Sequence, residues 1–170
     1  MSDLRVGLGV DAHAFSAEAP LVLGGLELAG EPGLAGHSDG DVIAHALVDA
    51  VLGAAGLGDI GGFFPSDDPR WEGASSLLFL ERAAAAVRAE GWELVNADCV
   101  LVGESPRIAS LRAGMEARLA TALGVEAGRV TVRATTTDGL GFTGRGEGLA
   151  AQAVALLSRF DAPAPGQGKR

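Results

Sequence analysis

Two rhythms of apolar and polar residues divide this chain. Short runs bounded by Gly and Pro, Arg5 to Val10 and Pro20 to Leu28, carry the branched apolar content of strands on either side of the turn-rich "SAEAP". A Gly-rich loop follows over Ala29 to Gly40. The helical rhythm then takes over from Asp41 to Gly53, with Asp39 or Asp41 as N-cap, and again from Ser75 to Glu90, stopped by Gly91. Trp92 to Val102 predicts a strand, Arg107 to Leu123 a helix after Pro106, and Arg129 to Thr135 a strand. The Ala- and Leu-rich segment from Glu147 to Phe160 predicts a closing helix, and "DAPAPGQGKR" a disordered tail over 161–170. No repeat or linker divides the chain, so one domain over 1–160 is expected.

The helix beginning at Asp41 is apolar on nearly every side, as buried helices are. Its exceptions, Asp41, His45 and Asp49, are spaced by four and lie in one stripe. A histidine in such a stripe suits a hydrogen-bonded core position as well as a ligand. A second pair adds to the count. In "RVGLGVDAHAF", Asp11 and His13 stand two residues apart at the end of a strand, where alternation sends both to one face. The pair also suits a strand that ends in an ordinary turn, with Asp11 bonded to its own backbone. Taken together, Asp11, His13 and His45 form the mixed N and O ligand set of a catalytic zinc site with one position open. Asp49, one turn from His45, would orient its ring.

Composition changes the picture in three ways. With 170 residues and 48% hydrophobic content the chain can bury a core unaided, and no apolar run reaches the length of a membrane span. The single cysteine, Cys99, and a start that enters strand-like sequence directly predict a reducing cytoplasm and no secretory leader. A net charge of −9 argues against nucleic acid or an anionic membrane as partner. A phosphorylated substrate would then need cations supplied locally.

The segment "ATTTDGLGFTGRGEG", Ala134 to Gly148, holds Gly139, Gly141 and Gly144 in GxGxxG register. A dinucleotide fold fails on length, because no second strand with an acidic residue follows. A Walker A loop fails because Arg145-Gly146 stands where Lys-Ser/Thr is required. What remains is an anion cradle of Thr135, Thr136 and Thr137 with backbone amides and one arginine, or a plain glycine-rich connection.

The ordered series "DAH", "HSDGDVIAHAL.DA", "GDIG.FFPSDDP", "ESPRI" and "ATTTDGLGFTGRGEG" resembles the 2-C-methyl-D-erythritol 2,4-cyclodiphosphate synthase family of the non-mevalonate isoprenoid pathway, from Arg5 to about Leu157. The resemblance implies a lyase. The 2-phosphate of 4-diphosphocytidyl-2-C-methyl-D-erythritol 2-phosphate attacks the β-phosphate, giving the cyclic diphosphate and CMP. It implies an α+β fold, a mixed sheet with helices on one face, and a homotrimer with sheets toward the centre and active sites between subunits. Zn2+ and a second ion, Mg2+ or Mn2+, would be the cofactors.

Carried onto this chain, the resemblance gives zinc to Asp11, His13 and His45. It puts His37 and Ser38 over the substrate's phosphate and methylerythritol. Asp59, Ile60 and Gly61 would hold the erythritol hydroxyls, beside a loop of Phe64, Pro65, Ser66, Asp67 and Asp68. From the neighbouring subunit, Gly103, Glu104, Ser105, Pro106, Arg107, Ile108 and Ala109 would form a cytosine slot. Thr135, Thr136 and Thr137 would hold the diphosphate, Thr136 acting with His37 on the transition state, and Asp138 would take the second ion. Phe142 and Arg145 complete the matching positions. The family more often has Glu at Asp138, Lys at Arg107 and an acidic residue at Ser66. Two other functions use the same ligands: a zinc-dependent phosphodiesterase, which would activate water, and a non-catalytic trimer that binds metal or nucleotide.

Overall fold

The sheet is built from β1 (Leu4–Leu23), β2 (Leu26–Leu34), β3 (Trp92–Val102), β4 (Val130–Thr135) and β5 (Gly148–Arg159), in the spatial order β2-β1-β5-β3-β4. These elements come from a computed structural model that describes residues 3–160. Only the β3–β4 pair is parallel, so the sheet is mixed. Against it lie α1 (Val42–Ala55), α3 (Ser76–Ala89) and α4 (Arg112–Leu123), with single turns at α2 (Ile60–Phe63) and α5 (Gly141–Gly144). The expected α+β class holds. The tail expected over 161–170 lies outside the described residues.

The largest departure from expectation is β5, where the sequence predicted a helix. Alanine and leucine favour helices intrinsically, but this segment sits between β1 and β3 and pairs with both. Leu149, Ala151, Ala153, Ala155 and Leu157 are buried at every second position, the period of a strand. Alanine serves because α1 presses closely on the same face. Strand β1 runs well beyond Val10, and β2 continues to Leu34 through half the expected loop. Helix α4 starts at Arg112, not Arg107; the residues after Pro106 turn instead, and Leu111 N–H donates to Ile108 O at 2.9 Å.

Two glycines of β1 let α1 settle on main chain. A Cβ on Gly9 would lie 1.8 Å from Ala46 O, and one on Gly7 would lie 2.0 Å from Ala50 O. The N-terminus of α1 is fixed by Asp41, fully buried, which accepts from the amides of Ile43 and Ala44 at 3.2 and 3.1 Å. Its carboxylate also accepts from Gly24 and Gly25 at 2.9 and 2.7 Å, where positive φ makes the tight β1–β2 turn. One buried carboxylate therefore ties the hairpin to the helix. The opposite face of the sheet carries Val6, Leu8, Val10 and Val154, all exposed, with Val6 at 70%.

Candidate metal centre and substrate pocket

Midway along β1, near the end of its pairing with β5, Asp11 and His13 lie opposite Ala151 and Leu149, so both point to the helix side of the sheet. His45, on the first turns of α1, meets them there. Asp11 Oδ2 lies 2.7 Å from His13 Nε2 and 3.0 Å from His45 Nδ1, and the two nitrogens are 3.1 Å apart. Three atoms that each offer a lone pair converge on one point, which is the arrangement a cation stabilises. The other nitrogen of His13 is already committed: Nδ1 donates to Ala35 O at 2.6 Å, leaving Nε2 as the ligand atom.

Burial pushes the Asp11 carboxyl up, but hydrogen bonds and charge from His13 and His45 outweigh it and hold the group well below the usual range. His13 is raised by its bond to Asp11, with burial opposing. Asp49, expected to orient His45, does something else. Its Oδ1 accepts from Ile60 N–H at 2.7 Å, so it anchors the turn α2 to α1. Burial raises its carboxyl, and the charges of Asp59 and Asp11 add to this.

The ligand set opens into a cavity of about 410 Å³ that His37, Ser38, Ile60, Gly61, Phe64, Pro65, Ser66 and Asp67 also line. Asp59 stands at its edge, capping α2 by accepting from Gly62 N–H at 2.9 Å. Asp68 is turned to Arg70, whose Nε and Nη2 donate to it at 2.5 to 3.0 Å. His37 is exposed, with Nε2 3.4 Å from Asp68 O. Sequence reading missed the apolar wall. Trp71 and Phe79 complete it with Phe64, and the Phe64 and Phe79 rings stack at 4.4 Å. The aromatics at 64, 71 and 79 were visible, but nothing in their spacing marks a shared wall.

The remaining predicted residues gather elsewhere. Glu104 Oε1 accepts from the amides of Thr137 and Gly139 at 3.3 Å, joining the "ESPRI" turn to the threonine loop. Thr137 faces inward, bonding Leu140 O and Thr143 Oγ1, whereas Thr135, Thr136 and Asp138 are exposed. Thr136 Oγ1 donates to Asp138 Oδ1 at 3.1 Å, and Asp138 has a left-handed φ of 52°. Gly103 N–H donates to Thr135 O at 3.0 Å, the Ser105-Pro106 bond is cis, and Ile108 is buried beneath the turn. Arg107 and Ala109 are exposed. Phe142 is 42% exposed, and Arg145 pairs with Glu147 at 2.7 Å.

Both clusters sit at the same end of the sheet, since Asp11, Ala151, Leu101 and Ala134 form one row across four strands. Three strand spacings, about 14 Å in all, part the Asp11, His13 and His45 cluster from the threonine loop.

Residues 4–158 match the YgbB family. A 2-C-methyl-D-erythritol 2,4-cyclodiphosphate synthase of Rubrobacter xylanophilus is 57% identical over 162 residues, covering 94% of this chain and 98% of its own. A bifunctional IspD/IspF enzyme of Anaeromyxobacter is 56% identical over 92% of this chain, which spans 40% of that longer protein. The bifunctional IspDF of Campylobacter jejuni superposes with a TM-score of 0.91 at 42% identity, over 95% of this chain and 44% of its own. The Plasmodium falciparum IspF in complex with CDP gives 0.82 at 29%, over 95% and 99%. With a match along nearly all its described length, and with the metal-ligand cluster in place, this chain belongs to the YgbB family, the family of the 2-C-methyl-D-erythritol 2,4-cyclodiphosphate synthases.

Proposed function

We propose that the chain closes its substrate's ring with zinc at Asp11, His13 and His45, magnesium or manganese at Asp138, and each active site completed by a neighbouring copy in a homotrimer. The chain is a lyase of non-mevalonate isoprenoid synthesis that forms 2-C-methyl-D-erythritol 2,4-cyclodiphosphate. The observation that carries the site is the meeting of Asp11 Oδ2, His13 Nε2 and His45 Nδ1 within 2.7 to 3.1 Å at the wall of the cavity. Two nitrogens and a carboxylate oxygen suit zinc, and an exposed carboxylate such as Asp138 suits a harder ion that keeps its waters. Bound there, the two ions supply positive charge against the phosphate oxygens whose repulsion opposes ring closure.

The chain's own residues fold the substrate. Asp59, Ile60 and Gly61 hold the erythritol hydroxyls against the loop Phe64 to Asp68, while Phe64, Trp71 and Phe79 exclude water from one side. His37 and Ser38 close over the 2-phosphate. Thr135 and Thr136 hold the diphosphate, Thr136 working with His37 as charge moves to the leaving group. The turn Gly103 to Ala109 receives the cytosine edge. Held in line, the attacking and attacked phosphates gain up to about 7–11 kcal/mol from positioning alone. No protein nucleophile is needed, and Cys99 is buried away from the cavity.

Two observations favour the trimer. The threonine loop and the zinc ligands lie too far apart in one chain for one compact site, and the sheet face opposite the helices exposes Leu4, Val6, Leu8, Val10 and Val154. Covering that strip with its own copies gives closed rotational symmetry. Asp138, a methylene shorter than the commoner glutamate, would still offer a carboxylate oxygen to a hard ion, Arg107 keeps the charge of the commoner lysine, and Asp67 lines the cavity beside Ser66. A single domain over 1–160, a tail over 161–170 and a cytoplasmic site complete the proposal. No described helix is long and apolar enough to cross a membrane.

The decisive experiment incubates the chain with 4-diphosphocytidyl-2-C-methyl-D-erythritol 2-phosphate, zinc and magnesium. Phosphorus NMR and mass spectrometry should find the cyclic diphosphate and CMP. A linear, water-derived product would establish the phosphodiesterase instead, and binding without turnover the non-catalytic trimer.

A further inference from the structure

His45 presents Nδ1 to the metal point, so its Nε2 must carry the ring proton for the lone pair to be free. Three hydroxyl and carboxylate groups behind the ring decide this. Ser76 Oγ lies 2.8 Å from His45 Nε2, fully buried at the start of α3, and it also contacts Asp39 Oδ1. The carboxylate of Asp39 already accepts from Ser76 N–H at 3.0 Å and from Asp41 N–H at 3.2 Å. Every neighbour that points at this carboxylate is a donor, and a carboxylate has no hydrogen to return. The hydroxyl hydrogen of Ser76 is therefore spent on Asp39, and its oxygen faces His45 with lone pairs only. A bare Nε2 at 2.8 Å would set lone pair against lone pair.

We propose that Asp39 and Ser76 act together as positioning residues that lock His45 in the Nε2–H tautomer and so aim Nδ1 at the metal. Asp39 stands in the "GHSDGD" loop and Ser76 38 positions from Ser38 along the chain, so the relay joins the loop, α1 and α3 around one imidazole. Ser38 gains a separate role from it. Its Oγ is 3.0 Å from the same Nε2 and shares that hydrogen, so its own hydroxyl hydrogen can turn to Ser76 Oγ at 3.5 Å or to a ligand in the cavity it lines. Phe79 lies parallel to the imidazole at 6.1 Å, closing the apolar side. The opposite tautomer would put a hydrogen on Nδ1, directly between Asp11 and His13, and occupy the metal's place.

The inference rests on reading Asp11, His13 and His45 as metal ligands, but its first test needs no metal. Two-bond proton–nitrogen NMR of the metal-free chain reads directly which ring nitrogens carry hydrogen. His13→Gln and His37→Gln variants assign the signals, since the chain has three histidines. Hydrogen on Nε2 of His45 is expected, whether or not Nδ1 also carries one toward Asp11 Oδ2 at 3.0 Å; a bare Nε2 overturns the relay. In Ser76→Ala the remaining hydroxyl, Ser38, is free to donate to Nε2, so the Nδ1–H form should grow. Asp39→Asn should do the same, because an amide can donate to Ser76 and reverse the chain of hydrogens. Zinc affinity, read by chelator competition, should fall roughly 10–100-fold in each, the range for partners behind a ligand. Circular dichroism and melting curves of the metal-free variants establish that they are folded. Unchanged tautomer and unchanged affinity in folded Ser76→Ala overturn the proposal, and should that variant not fold, the wild-type spectrum and Asp39→Asn decide it. A wild-type chain with hydrogen on Nε2 that binds no zinc keeps the relay and removes the metal reading.

Discussion

His13 and His45 turn opposite ring nitrogens to one point: Nε2 of the first and Nδ1 of the second lie 3.1 Å apart, with Asp11 Oδ2 within 3.0 Å of both. Each ring is held from behind, His13 by Ala35 O and His45 by the Ser76 and Ser38 hydroxyls. Neither can swing out to take another partner without giving up one of these hydrogen bonds.

Removing one of these rings should empty the site without opening the fold. His45→Ala places a good helix former in α1 and leaves the Asp41 cap intact. Zinc measured by atomic emission should drop from one per chain to near none, and turnover with it, by more than the roughly 100-fold of a supporting residue. Full zinc content with normal rate would remove His45 from the ligand set.

Gly9→Ala tests whether α1 must touch the main chain of β1. The added methyl meets Ala46 O at 1.8 Å and Ala50 N at 2.7 Å, so helix and strand must part. Urea unfolding should show a loss of about 1–3 kcal/mol, and zinc affinity should fall because His45 moves away from Asp11. Gly53→Ala, with open space around its Cβ, is the contrast: a gain of about 0.5–1 kcal/mol is expected in a helix. Equal stability of the two variants would contradict the close approach.

Asp138→Glu lengthens the proposed ligand by one methylene. The magnesium or manganese concentration for half-maximal rate should fall, with zinc content unchanged. Glutamate also tolerates the φ of 52° less well than aspartate, so the fold should lose some tenths of a kcal/mol, at most about 1. An unaltered metal titration would mean that position 138 does not hold the ion.

Mixing two inactive variants tests the shared site. His13→Ala removes a zinc ligand and Thr136→Ala the diphosphate donor. If each site joins one chain's zinc to its neighbour's threonine, random reassembly in equal amounts restores about a quarter of all sites, by the combinatorics of a cyclic trimer. The recovered rate is compared with wild type at equal protein. No recovery, with mixed trimers verified by mass spectrometry, would place each site within one chain.

Burial, with the charges of Asp98 and Asp41 adding to it, pushes the Cys99 thiol up from 9.0 to about 12. Because the thiolate is the reactive form, iodoacetamide should leave the native chain untouched at neutral pH and label it fully in urea. The sign for stability follows. A thiol raised in the fold favours the native state fully below the ordinary value and loses that favour from about pH 9 to about 12. Rapid native labelling would mean that β3 opens locally.

How far the sequence carried these conclusions differs by element. Strand β3 has its predicted bounds, with Gly91 and Gly103 bracketing it and buried positions such as Trp92 and Leu94, then Ala97, Cys99 and Leu101, recurring every second residue. Helix α1 is marked by its cap and uniform apolar character. Strand β5 was misread because "AAQAVALL" satisfies helix propensity and a two-residue period together, and only its neighbours β1 and β3 choose between them. Asp11 and His13 were legible from spacing on one strand, whereas Asp39 and Ser76 are 37 residues apart and no local pattern joins them. Asp49 shows the limit of spacing arguments. It lies one turn from His45, yet its oxygen is engaged by Ile60.

The contact of α1 with the bare backbone at Gly7 and Gly9 also says where heritable change can be absorbed. The height of His45 above Asp11 is fixed by main chain resting on main chain, not by the bulk of any side chain between them. Exchanging buried Leu47, Val51 or Leu52 for an apolar residue of similar volume would alter packing around α1 and leave this contact in place. Two positions that carry no side chain thus set how far the imidazole reaches.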